Sequence, residues 1–104
     1  MNNQIIYLKK STNPDKKYMV LVGRKTIHFG SEGMSDYTKH KDPDRKKLYI
    51  DRHQKNENWT KSGISTAGFW SRYLLWGEPT IKQSIEYLEN RFNITIKRTW
   101  PPKI

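Results

Sequence analysis

Hydrophobic and polar positions alternate with a period of two over the first thirty residues, and with a period of three to four over most of the rest. QIIYLK at 4–9 and KYMVLV at 17–22 are rich in β-branched and aromatic residues, which suit a pleated, half-buried surface. The KSTNPDK segment between them carries turn chemistry, so the two runs predict a hairpin. A third run, Lys25 to Phe29, follows Gly23-Arg24, a two-residue link in which glycine supplies the positive φ of a tight turn. Together they predict a three-stranded antiparallel meander.

Gly30 and Gly33 then interrupt the sheet, and SDYTKHKD reads as a polar loop. Pro43 fits the first turn of a helix with Asp42 as its N-cap. From Asp44 to about Asn58 there is no Gly or Pro, and Arg45, Leu48, Tyr49, Arg52, His53 and Asn56 recur at helical spacing. Only Leu48 and Tyr49 on that stripe are clear core residues, so most of this helix is expected to face water or a ligand. After a break at Lys61-Ser62-Gly63, Thr66 caps a second helix running through Trp76, with Phe69, Trp70, Tyr73 and Leu74 as its apolar stripe and Gly77 as its stop. Pro79 and Thr80 open a third, with Ile81, Ser84, Ile85, Leu88 and Phe92 on one face. From Asn93 to Trp100, Ile94 and Ile96 alternate with polar residues, which predicts a strand returning to the sheet, and Pro101-Pro102 ends the ordered part. The expectation is one α+β domain over 1–100 with a tail at 101–104: a small antiparallel sheet of three to four strands packed against two or three helices. The two Trp-rich helices are expected on a sheet face made by Met19, Leu21, Ile27 and Phe29.

Composition adds to this picture. Hydrophobic residues are 34% of the 104, low for a folded domain, but four Trp and six Tyr supply large buried areas, and a chain of this length buries roughly two thirds of its unfolded surface. There is no cysteine, so neither disulfides nor thiolate zinc sites contribute. No apolar run approaches the ~20 residues that span a bilayer, and MNNQIIYLKK lacks the apolar centre of a signal peptide. The expected location is the interior of a cell, cytoplasm or nucleus, or a particle assembled there.

Twenty Lys and Arg against ten acids give a net charge of +10, a field that attracts polyanions. Charge is dense in HKDPDRKKLYIDRH at 40–53, and eight Lys or Arg fall between Lys39 and Lys61. Lys39, Lys41, Arg45, Lys46, Arg52 and Lys55 are the candidates to follow a phosphate backbone. Arg72, within the aromatic run TAGFWSRYLLW, is a further candidate beside rings able to stack on bases. The competing reading is a solvated helix face, since Asp42, Asp44, Asp51 and Glu57 halve the local charge.

A metal reading has His28, Asp36, His40, Asp42, His53 and Glu57 as possible ligands. His53 and Glu57 are four apart, but a helical zinc site needs two histidines at such spacing, and an exposed polar pair has the same signature. A small metal-dependent nuclease built from His40, Asp42, His53 and Glu57 remains an alternative. No phosphate loop, nucleophile elbow or dinucleotide fingerprint is present, and no cofactor is expected.

HFGSEGMSDYTKHKD, RKKLYIDRH, ENW and TAGFWSRYLLW, in that order, resemble a family of small, basic, uncharacterised proteins of large double-stranded DNA viruses of algae and amoebae. The likeness runs over about residues 18 to 92. It implies a viral origin and packaging in the virion, with no catalytic assignment. The expected function is non-catalytic, largely sequence-independent binding of nucleic acid, DNA rather than RNA. A minor capsid protein contacting other shell proteins is the second expectation.

Overall fold

β1 (Gln4–Lys10), β2 (Lys16–Val22) and β3 (Lys25–Ser31) form the meander that the alternation predicts; the structure, a computed structural model, describes residues 4–101. The registers Leu8↔Val20, Val20↔Ile27 and Tyr18↔Phe29 gather these side chains on one face. Met19 pairs with His28 and Leu21 with Thr26, so those two lie on the opposite face, and the expected set Met19, Leu21, Ile27, Phe29 is corrected to Tyr18, Val20, Val22, Ile27, Phe29. The cause is local: YMVLV is apolar at every position, so its own alternation cannot choose between faces that a one-residue slip would exchange.

The expected fourth strand is present as β4 (Ile94–Lys97), but it pairs with β1 in parallel, Ile6 opposite Ile96, and the sheet runs β3-β2-β1-β4. The sheet is therefore mixed. β3 and β4 occupy opposite edges and run the same way, an arrangement that needs a crossover connection between them. At the β4 edge the Ile96 amide donates to Glu89 Oε2 at 2.9 Å, which gives an edge group a partner inside the chain.

The crossover carries four helices, α1 (Tyr37–His40), α2 (Pro43–His53), α3 (Ala67–Trp70) and α4 (Ile81–Phe92). Asp42, Thr66 and Thr80 cap α2, α3 and α4 as the sequence predicts, each side chain accepting an amide of the first turn. Two boundaries differ besides the end of α2. α1 occupies what reads as a loop, held by its own cap, Asp36. α3 ends after four residues and widens into a π turn over Ser71–Leu75, where the Trp76 amide donates to Ser71 O at 3.1 Å. Phe69, Trp70 and Leu74 are fully buried against Ile6, Phe29, Leu88 and Ile94 in one continuous core. α2 contributes to burial through Tyr49 alone.

Candidate nucleic-acid interface

α2 is fixed to the body by rings. Trp76 stacks on Tyr49 with centroids 4.4 Å apart and planes 4° off parallel; Tyr49 stacks on His53 at 4.3 Å, and His40 meets Trp76 at 5.3 Å. The π turn presents Trp76 to this column, because the extra residue in the turn rotates the chain away from the core stripe of α3. Lys46 secures the same helix face: its Nζ donates to Gly77 O at 2.7 Å and lies 4.9 Å over the Tyr37 ring. Lys46, Tyr49 and His53 thus turn inward, and the three- and four-residue spacing puts Arg45, Leu48 and Arg52 on the outer stripe.

The candidate cations divide accordingly. Lys39, Arg45, Arg52 and Lys55 are exposed, and none of the four has an acidic partner among the described residues. Lys41 is exposed with its Nζ donating to Thr38 O. Lys46 is internal, as described, and its pKa is lowered by burial and then by Arg72. Arg72 donates to Trp76 O at 3.0 Å and lies over the rings of Trp59 and Tyr73, with a pKa lowered by burial. Both hold the fold together instead of offering free charge. Of the acids on the exposed side, Asp51 pairs with Lys47 at 3.0 Å and Asp42 is occupied with the α2 amides of Asp44 and Arg45.

Two hollows flank the outer stripe. A groove of about 240 Å³ is lined by Met34, Ser35, Arg45, Leu48, Arg52 and Trp76; Met34 is 65% and Leu48 61% exposed, so this groove has no apolar cover among the described residues. Arg52 also borders a larger cleft of about 350 Å³ whose floor is Phe29, Gly30 and Leu75. Glycine suits position 30, where φ is +77° and a Cβ would stand 2.7 Å from Leu75 Cδ1.

The potential metal ligands do not converge, and among the described residues no three His, Asp or Glu side chains are grouped to hold an ion. His28 bonds the Ser11 hydroxyl at 2.7 Å on the other face of the sheet. Asp36, 2% exposed, takes the Lys17 ammonium at 2.5 Å and also accepts from the Thr38 amide and hydroxyl. His40 and Asp42 sit at the start of α2, where the Asp42 amide donates to His40 Nδ1 at 3.0 Å. His53 is at the far end of the helix, about 16 Å of helix rise from Asp42, so the four residues of the nuclease alternative form two pairs.

His53 and Glu57 do meet, Nδ1 to Oε2 at 2.9 Å, although not as a pair on one helix. The expected helix to about Asn58 stops at His53, and Glu57 is turned back by the Trp59 indole N–H, which donates to Oε1 at 2.9 Å. The carboxylate packs on Gly68, where a Cβ would lie 2.8 Å from its carbon. No Gly or Pro marks that stop in the sequence, because the signal is this tertiary contact. The residues that sequence reasoning missed are Lys17 and Lys16: the first reads as strand and the second as the end of the turn, yet both border the cleft.

With this geometry in hand, a family model described as Family of unknown function (DUF5754) matches residues 6–53. The matched segment is similar to that family from β1 to the last residue of α2, so it includes the ring-fixed helix with Arg45 and Arg52 and stops short of Glu57. No curated protein and no solved structure matches the chain.

Proposed function

We propose that this protein binds nucleic acid without catalysis, chiefly duplex DNA, through phosphate contacts from Lys39, Lys41, Arg45, Arg52 and Lys55. One observation carries the reading: Arg45 and Arg52 stand two turns apart on the exposed face of a helix, with no acid paired to either among the described residues. Two turns are about 10 Å, roughly a Debye length at physiological salt, so the two charges tolerate each other and meet one stretch of backbone. Such contacts position a protein on a duplex and carry little sequence information. A chain with a net charge of +10 suits a genome-packaging role, the setting that the viral resemblance implies.

Fluorescence anisotropy with a labelled random-sequence duplex tests this. The wild type binds, and Arg45→Gln with Arg52→Gln weakens binding alike for any sequence, by about tenfold or more for two lost charge-assisted contacts. Unchanged affinity in the double variant overturns the assignment.

A second reading rests on Met34 and Leu48. Two large apolar side chains more than half exposed beside Arg45 and Trp76 have the residue types of a protein–protein interface, as a minor shell protein requires. Co-purification with empty shells, lost in Leu48→Asp while duplex binding is kept, favours that role.

A further inference from the structure

We propose that the cleft between β2, β3 and α2 is a binding site for a phosphate monoester carried on an aromatic or sugar body, such as a 5′-phosphorylated strand end or a free mononucleotide. This deepens the nucleic-acid reading and rests on it. The cleft is about 350 Å³, within the range of small-ligand pockets, and Phe29, Gly30 and Leu75 are among the residues that line it.

Its charges favour an anion. The Lys17 ammonium on the wall is neutralised by Asp36 at 2.5 Å. Lys16 and Arg52 line the cleft with no acidic partner among the described residues. With Asp36 paired to Lys17 and Glu57 engaged by His53 and the Trp59 indole N–H, the three Lys and Arg of the cleft outnumber its two acids, which favours an anion and a doubly charged monoester over a singly charged diester. His53 adds a directed group: with Nδ1 committed to Glu57, Nε2 is the ring nitrogen without a partner among the described residues, and Tyr49 stacking at 4.3 Å together with the Gly68 and Trp59 contacts to Glu57 hold that ring in place. The Tyr49 hydroxyl likewise has no hydrogen bond among the described residues. Met34 and Trp76 supply apolar surface for the body that carries the phosphate.

The test compares short oligonucleotides that differ only in a 5′-phosphate or 5′-hydroxyl, and in parallel AMP with adenosine, by calorimetric titration of the full chain. The phosphorylated ligand of each pair binds about tenfold tighter or more. Arg52→Gln and Lys16→Gln, both checked for unchanged melting, abolish that difference, whereas Arg45→Gln, which borders the groove and not the cleft, weakens both oligonucleotides equally and keeps it. A preference for the phosphorylated strand without AMP binding assigns the site to strand ends; AMP binding with the same preference assigns it to the mononucleotide unit. Equal affinity within both pairs, with salt-sensitive duplex binding intact, overturns this inference and leaves the ridge reading standing. AMP binding with no duplex binding upholds the cleft and removes the ridge.

Discussion

At the residue scale the most consequential pair is Lys17 and Asp36, buried to 8% and 2% exposure. Removing one member of such a pair strands a charge away from water, which costs about 3–5 kcal/mol, while replacing both by apolar groups is often neutral. Asp36→Asn is expected to lower stability by that amount in chemical denaturation, and Lys17→Met with Asp36→Leu to restore part of it, the cap that Asp36 gives α1 staying lost. Equal losses in the single and double variants contradict this account. The pair also shows where the sequence is silent: Lys17 has the pattern of an outward strand residue and Asp36 that of a loop acid, and only the crossover brings them together across nineteen positions. His53 and Glu57 show the converse, since their spacing is visible but says helix pair, while the contact is made by a chain that has already left the helix.

At the element scale, α2 is a helix attached by its aromatic face and otherwise largely exposed. Its start was legible because capping is local: Asp42 and Pro43 announce it, and Asp42 accepts the Asp44 amide at 2.9 Å. Asp42→Ala is expected to cost about 1 kcal/mol in thermal unfolding and to leave duplex affinity in place; a loss of binding well beyond the loss of folded protein contradicts the division between cap and ridge. The burial of Tyr49 in α2 and of Tyr73 in the π turn gives a pH signature. Burial raises the pKa of both, with Glu57 adding for Tyr49 and the arginines opposing for Tyr73. A folded-state pKa raised above the ordinary value of about 10 contributes stability that is complete below that pH and is lost as pH climbs through the raised values. Lys46, lowered by burial, runs in the opposite sense, its penalty easing as pH rises past its folded value. Phenolate absorbance is therefore expected to show two of the six tyrosines ionising late and together with unfolding, and one fewer in Tyr49→Phe. A single phase for all six contradicts the burial of these rings.

At the scale of the whole molecule, the α+β class and the aromatic core were legible from periodicity, since Phe69, Trp70, Tyr73 and Leu74 recur at helical spacing and are buried. The sense of β4 was not, because strand direction depends on how a crossover of some sixty residues lies on the sheet. Charge was legible in amount but not in allocation: of seven candidate cations, Lys46 and Arg72 serve the interior and the other five stay at the surface. The central claim is that this remaining group meets phosphates. Each phosphate neutralised on B-DNA contributes about −0.9 to the slope of log K against log salt, so five contacts predict a slope of roughly −4 to −5. The direct measurement is duplex affinity across a salt series for the wild type and for Arg45→Gln with Arg52→Gln. The account predicts that steep slope, with a magnitude about 2 smaller in the double variant; a flat response, or one that the two substitutions leave unchanged, contradicts it.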